Sequence, residues 1–144
     1  MKKILSCVIV AMIMCSLLTS CGKDKKEEQN QAEETVAKIS SVAEWIEKES
    51  DNIDSLKESM DGTDIKLDVV DKKNSLVYQY TFTKISEEDA DGGLKEQLDI
   101  DIEEQKDAME TVLEMLKKEV PDAESVIFEY YDNDENLITS CEIK

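Results

Sequence analysis

The chain contains no histidine and no arginine; all 17 of its basic residues are lysine. Without histidine, neither a Ser-His nor a Cys-His nucleophile pair can be assembled, and no imidazole can ligate a metal. Without arginine there is no planar fork to grip phosphate or carboxylate at two points. Cations of any kind are outnumbered: 35 acidic residues give a formal charge of −18. Such a chain repels nucleic acid, whose phosphates require a basic footprint. Long apolar runs are scarce as well. The one that stands out, Ile4–Leu18, has fifteen residues, short of the roughly 20 that a spanning helix needs. These absences point away from an enzyme of the usual kinds and suggest no cofactor.

What is present begins at the amino-terminal end. Lys2 and Lys3 precede the apolar run, and the run stops at Leu18-Thr19-Ser20-Cys21. An ordinary secretory cleavage site wants small residues at the third and first positions before the cut, and Leu18 does not suit that rule. The order of basic start, apolar run, Leu-Thr-Ser-Cys and polar linker resembles the signal of bacterial lipoproteins. That resemblance implies cleavage before Cys21 and a diacylglycerol on its sulfur, with acyl chains such as palmitate. It places the protein on the outer face of the cell membrane, held by lipid. Each buried methylene contributes about 0.8 kcal/mol, so two chains anchor stably where one does not. The expected divisions are a signal peptide over 1–20, a lipidated cysteine and polar tether over 21–39, and one domain over 40–144. Loss of Lys2 and Lys3 with the signal would leave 15 lysines against 35 acids, a charge of −20. Cys7 and Cys15 would leave too, so only Cys141 would remain as a free thiol and no internal disulfide could form.

Within 40–144 the apolar pattern is regular. Ser41-Val-Ala-Glu44 has capping-box spacing, and Val42, Trp45, Ile46, Ile53, Leu56 and Met60 follow as one stripe interrupted at Glu49. Gly62 suits a helix stop. Ile65, Leu67 and Val69, then Leu76, Tyr78, Tyr80 and Phe82, alternate on either side of the polar break at 71–75, which reads as a hairpin. Residues 83–93 read as a loop or the frayed start of the next helix. A long helix is expected from Leu94 to Val120, closed by Pro121, with its stripe broken at Gln105 and Lys106. A second hairpin is expected from Val126, Phe128 and Tyr130 facing Leu137, Thr139, Cys141 and Ile143 across the acidic turn Asp132–Asn136. The expected fold is α+β, in the order helix–hairpin–helix–hairpin, with a four-stranded antiparallel sheet and both helices packed on one face.

The segments "SVAEWIEKES", "NSLVYQYTF", the long acidic helix and "VIFEYYDNDENLITSCEI", taken with the lipoprotein signal, resemble a small uncharacterised domain family of lipoproteins from anaerobic Gram-positive bacteria. The resemblance brings a domain of unknown function and no site residues.

Several residues are candidates for chemistry. Asp132, Asp134 and Asn136 alternate as the first ligands of a calcium loop do. Leu137 and Ile143, however, occupy the places of that loop's turn glycine and bidentate glutamate, and Asp and Asn are ordinary turn formers. Asp99, Asp101 and Glu103 alternate within the expected helix, do not share one face of it, and read as solvated surface. Paired carboxylates suffice for a glycosidase-type reaction on cell-wall material, but 35 acids leave any choice of pair arbitrary. Cys141 in acidic surroundings reads as a small buried hydrophobe rather than a thiolate. Val77, Ile127, Tyr131 and Ile138 fall on the sheet face opposite the presumed core and mark a possible partner face, for an envelope protein or a second copy. The expectation is a non-catalytic binding or interaction module displayed outside the membrane. A weak calcium-responsive turn and a carboxylate-based hydrolase are the alternatives.

Overall fold

The computed structural model describes residues 39–144; the expected signal peptide, Cys21 and tether lie outside the described residues. Helix α1 (Val42–Lys48) starts at Ser41, whose hydroxyl accepts the Glu44 N–H at 3.3 Å. The Glu44 carboxylate reaches back to the N–H and hydroxyl of Ser40, one residue earlier than in a standard capping box. The expected single helix is interrupted at Glu49, where ψ is 11°, and resumes as α2 (Ser50–Ser59). The interruption falls where the apolar stripe carries a glutamate, and lets Val42 and Ile53 both face the core. After Gly62, which adopts a φ of +83°, strands β1 (Ile65–Lys72) and β2 (Ser75–Phe82) pair antiparallel through the two-residue turn Lys73-Asn74. Both turn residues have positive φ, 54° and 60°, as the tightest hairpins require.

The stretch expected as a loop or frayed helix start contains a short helix, α3 (Glu87–Asp89), capped by Ser86, and a π-helical turn over Ala90–Leu94. Helices α4 (Lys95–Glu104) and α5 (Lys106–Glu119) follow, so the long helix is broken at Gln105. Strands β3 (Val126–Tyr131) and β4 (Leu137–Ile143) form the second hairpin.

The sheet order is β1-β2-β3-β4, and the two central strands, β2 and β3, run parallel. The sheet is therefore mixed, not antiparallel throughout as the sequence suggested. Connection length explains the difference. Helix α5 alone, fourteen residues long, spans about 21 Å at 1.5 Å per residue. An eight-residue strand covers about 26 Å. The crossover therefore carries the chain back to the end of the sheet where β2 began, and β3 must leave in the same direction. The α+β class and the placement of the helices on one face agree with expectation.

One asparagine fastens this arrangement. Asn74 in the β1–β2 turn accepts the Val42 N–H through Oδ1 at 2.9 Å, and donates through Nδ2 to the Asp122 carbonyl at 2.6 Å. Its own carbonyl accepts the Glu124 N–H at 3.0 Å. It thus satisfies a donor at the start of α1 and fixes the chain just before β3. The next bond, Leu76 N–H to the Ser125 carbonyl at 3.0 Å, opens the parallel ladder. Along that ladder Tyr78 stacks on Phe128 and Tyr80 on Tyr130, with ring centroids 5.3 and 5.2 Å apart. Such pairs each add about 0.5–1.5 kcal/mol beyond their burial. Leu98, Met109 and Leu116 from the helices, with Val120 just after α5, join these rings in one core.

Replacing Asn74 with glycine keeps the positive φ accessible and removes only the side-chain clasp. Asn74→Gly should cost about 1–3 kcal/mol in urea unfolding. Asn74→Ala should cost more, because it adds left-handed backbone strain of roughly 1 kcal/mol.

Candidate functional site: the helix-free sheet face and the acidic turn

Strand alternation leaves one sheet face without helices. Lys72, Val70 and Asp68 of β1, Ser75, Val77 and Gln79 of β2, and Ile127, Glu129 and Tyr131 of β3 lie on it. Three of the four expected partner-face residues are here: Val77, Ile127 and Tyr131. The fourth is not. A bulge in β4 pairs Tyr130 with Thr139 and Tyr131 with Leu137, leaving Ile138 as the extra residue. Ile138 packs against the core, and Leu137, expected in the core, is 54% exposed.

Val77 has no exposed surface, yet it is not part of the core cluster on the helix side. The register explains its cover. Lys72 stands beside Ser75 on β1, and Glu129 stands beside Gln79 on β3. The ion pair between them, 2.9 Å, runs diagonally across β2 over the Val77 position. Gln79 and Tyr131 also donate to Glu129, at 2.8 and 2.7 Å. This face is thus strapped by polar side chains, and Val77 is unavailable for contact. Burial works against the charge on Glu129, but its bonds from Gln79, Lys72 and Tyr131 prevail and hold its carboxyl below the ordinary value. Burial, helped by the adjacent carboxylate, pushes the Tyr131 phenol up to about 12. A carboxylate already taking three donors, next to a phenol that stays protonated, is a structural tie rather than a proton shuttle. At the end of the face Ser125 bonds Ser75 and Glu142, each at 2.9 Å.

The acidic turn is built around Asp132, which is 1% exposed beneath its own loop. Its Oδ1 accepts the N–H groups of Asp134 and Asn136 at 2.9 and 2.8 Å, and its Oδ2 accepts from the Asn136 amide at 3.0 Å. These bonds, that of the Asn136 side chain first, hold the Asp132 carboxyl below its usual range. Glu135 takes the positive φ, 65°, that the turn requires. The Asn133 N–H reaches the Ile85 carbonyl at 2.8 Å, tying the turn to the segment after β2. Asp132, Asp134 and Asn136 are therefore brought together, but the Asp132 oxygens face donors of the turn. Among the described residues no group of three or more His, Cys, Asp or Glu side chains is arranged to hold a metal ion.

Asp101 departs from the solvated surface expected of it. It is 4% exposed and accepts from Gln97 at 2.9 Å. Gln105, at the break between α4 and α5, is also buried, and its Oε1 finds no partner among the described residues. Asp99 is exposed and takes Lys95 and Thr139. Cys141 is half-buried on the helix side, where burial raises its thiol above the normal value. Sequence reasoning missed Asn74, Glu129 and Asp101. Asn74 carried a signal in the Lys-Asn turn, whereas the other two depend on register and helix placement.

A family model described as a domain of unknown function matches residues 42–143. The chain belongs to the DUF4854 family. No curated protein and no solved structure gives a significant match. The DUF4854 segment coincides with the folded unit described above, from the first residue of α1 to the last of β4.

Two outcomes follow for this DUF4854 domain. The folded value of the Glu129 carboxyl is depressed, so its contribution is complete above the ordinary 4.5 and is lost as pH falls through the folded value. Glu129→Gln should therefore unfold with a flatter pH dependence below about pH 4.5, while costing about 1 kcal/mol at pH 7, as urea titrations at several pH values would show. The Asp132 carboxylate is occupied by its own turn. The melting temperature should thus be the same in a chelator and in millimolar calcium, and Asp132→Ala should lower it equally in both.

Proposed function

We propose that this DUF4854 chain is a lipid-anchored protein of the outer membrane face, serving there as a non-catalytic binding or interaction module. The observation that carries the reading is Leu18-Thr19-Ser20-Cys21, placed after Lys2, Lys3 and a fifteen-residue apolar run and before a polar stretch. Two acyl chains on Cys21 provide the anchor, and residues 22–38 provide reach. The non-catalytic part rests on side-chain chemistry. The full chain lacks histidine and arginine, and Glu129 and Asp132 spend their oxygens on tying strands and a turn. A role in binding agrees with an acidic body in which 30 acids face 11 lysines over residues 39–144.

Mass spectrometry of the protein from its own membrane should find a terminal peptide beginning at a diacylglyceryl-modified Cys21. Cys21→Ser should move the protein from the membrane fraction to the soluble one. An unmodified amino-terminal segment retained through Met1 would end the anchoring reading. Cross-linking on intact cells should give a discrete adduct above the monomer mass, and its absence with several reagents would end the binding reading.

A further inference from the structure

The two edges of the sheet are guarded unequally. On β1, Lys66 pairs with Asp68 at 2.9 Å, and Lys57 reaches Asp68 from α2 at 3.7 Å. Charged pairs of this kind, with a lysine on the strand, block an incoming strand. β4 carries neither lysine nor proline between Leu137 and Ile143; it is guarded by the bulge at Ile138 and, at its far end alone, by Glu142, which pairs with Lys144 at 3.1 Å. Apart from that bulge it offers an unpaired backbone edge seven residues long.

The side chains at this edge define what would suit it. α4 lies beside β4, tied by the Thr139 hydroxyl to Asp99 at 2.6 Å. Ile100 on α4 and Leu137 on β4 are the exposed large apolar residues of the described domain, each 54% exposed. Leu137 belongs to the helix-free side of the edge, and α4 with Asp99 to the helix side. Alternate residues of an added strand would project to these two sides in turn. Acids flank both sides: Glu103 on the helix and Asp134 and Glu135 in the turn, all exposed, while Asp99 and Glu142 are paired with Lys95 and Lys144. A second copy of this chain suits the edge poorly, because residues 39–144 carry 30 acids against 11 lysines and would meet their own charge.

We propose that β4 is a strand-addition site for an extended cationic segment of another polypeptide, one in which lysine or arginine alternates with aliphatic residues. Backbone pairing would supply affinity, Leu137 would take the aliphatic side chains on the helix-free side, and the exposed acids of α4 would take the basic side chains projecting on the other. This deepens the binding reading and rests on it.

The test uses the full chain in non-ionic detergent and a fluorescent ten-residue peptide alternating lysine and valine, followed by anisotropy at 150 mM salt. The peptide should bind. Its fully N-methylated version, with the same side chains and no N–H groups, should bind at least ten-fold more weakly. Its glutamate–valine counterpart should not bind. Leu137→Ser should weaken binding several-fold and Glu103→Gln should weaken it less, neither moving the melting temperature, since both positions are exposed. Equal binding of the N-methylated peptide would reduce the effect to charge adsorption and overturn the proposal. So would unchanged affinity in both variants, which would place the peptide elsewhere. Sedimentation of the protein alone as a dimer that Leu137→Ser dissolves would assign the edge to a second copy instead. Failure of the peptide to bind, beside a discrete cross-linked adduct on cells, would refute this partner class and leave the binding reading standing.

Discussion

The fold depends on the parallel seam between β2 and β3. Each hairpin is a local structure, marginal in water on its own. The seam makes them one sheet, and it is the pairing with the largest sequence separation, joining Leu76 to Val126 across a helical crossover. It holds because three different groups on Asn74 are engaged at one end, and because two aromatic stacks lie along it. The same asparagine that turns the first hairpin also receives the start of α1 and the return of the crossover. Local geometry and long-range topology therefore meet in one side chain.

The two faces of the seam are finished by different means. On the helix side, apolar residues of α1, α2, α4 and α5 close over the rings. On the other side no helix is present, and the strap from Lys72 to Glu129 covers Val77 instead. An ion pair whose lysine is half in solvent contributes little energy by itself. Here its larger role is to hold long side chains over an apolar spot and so keep water from it. The strap turns what looks from the strand pattern like a sticky surface into a polar one.

Much of this was legible in the residues, within definite limits. Period-two alternation correctly located both hairpins, because Leu67, Tyr78, Tyr80 and Phe128 must all reach one core. The helical stripes were also found, and even their breaks left marks: Glu49 and Gln105 are polar residues in apolar rows. Sheet polarity was not legible, since alternation says which face a residue takes and nothing of direction. Direction followed from the helical crossover, which returns the chain to the end of the sheet where β2 began. The bulge at Ile138 was hidden for a similar reason. It exchanges Leu137 and Ile138 between faces through backbone geometry that leaves no compositional trace. Of the candidate residues, the Asp132–Asn136 cluster was correctly placed in one turn, but only the structure reveals that Asp132 bonds that turn's own donors.

The parallel seam also gives the domain a head and a foot. α1 begins beside Asn74, at the end of the sheet where β3 starts and β4 finishes. The Asp132 turn lies at the opposite end, one strand length away, or about 20 Å for six residues. The chain therefore enters the folded unit at its foot, one strand length from the acidic tip.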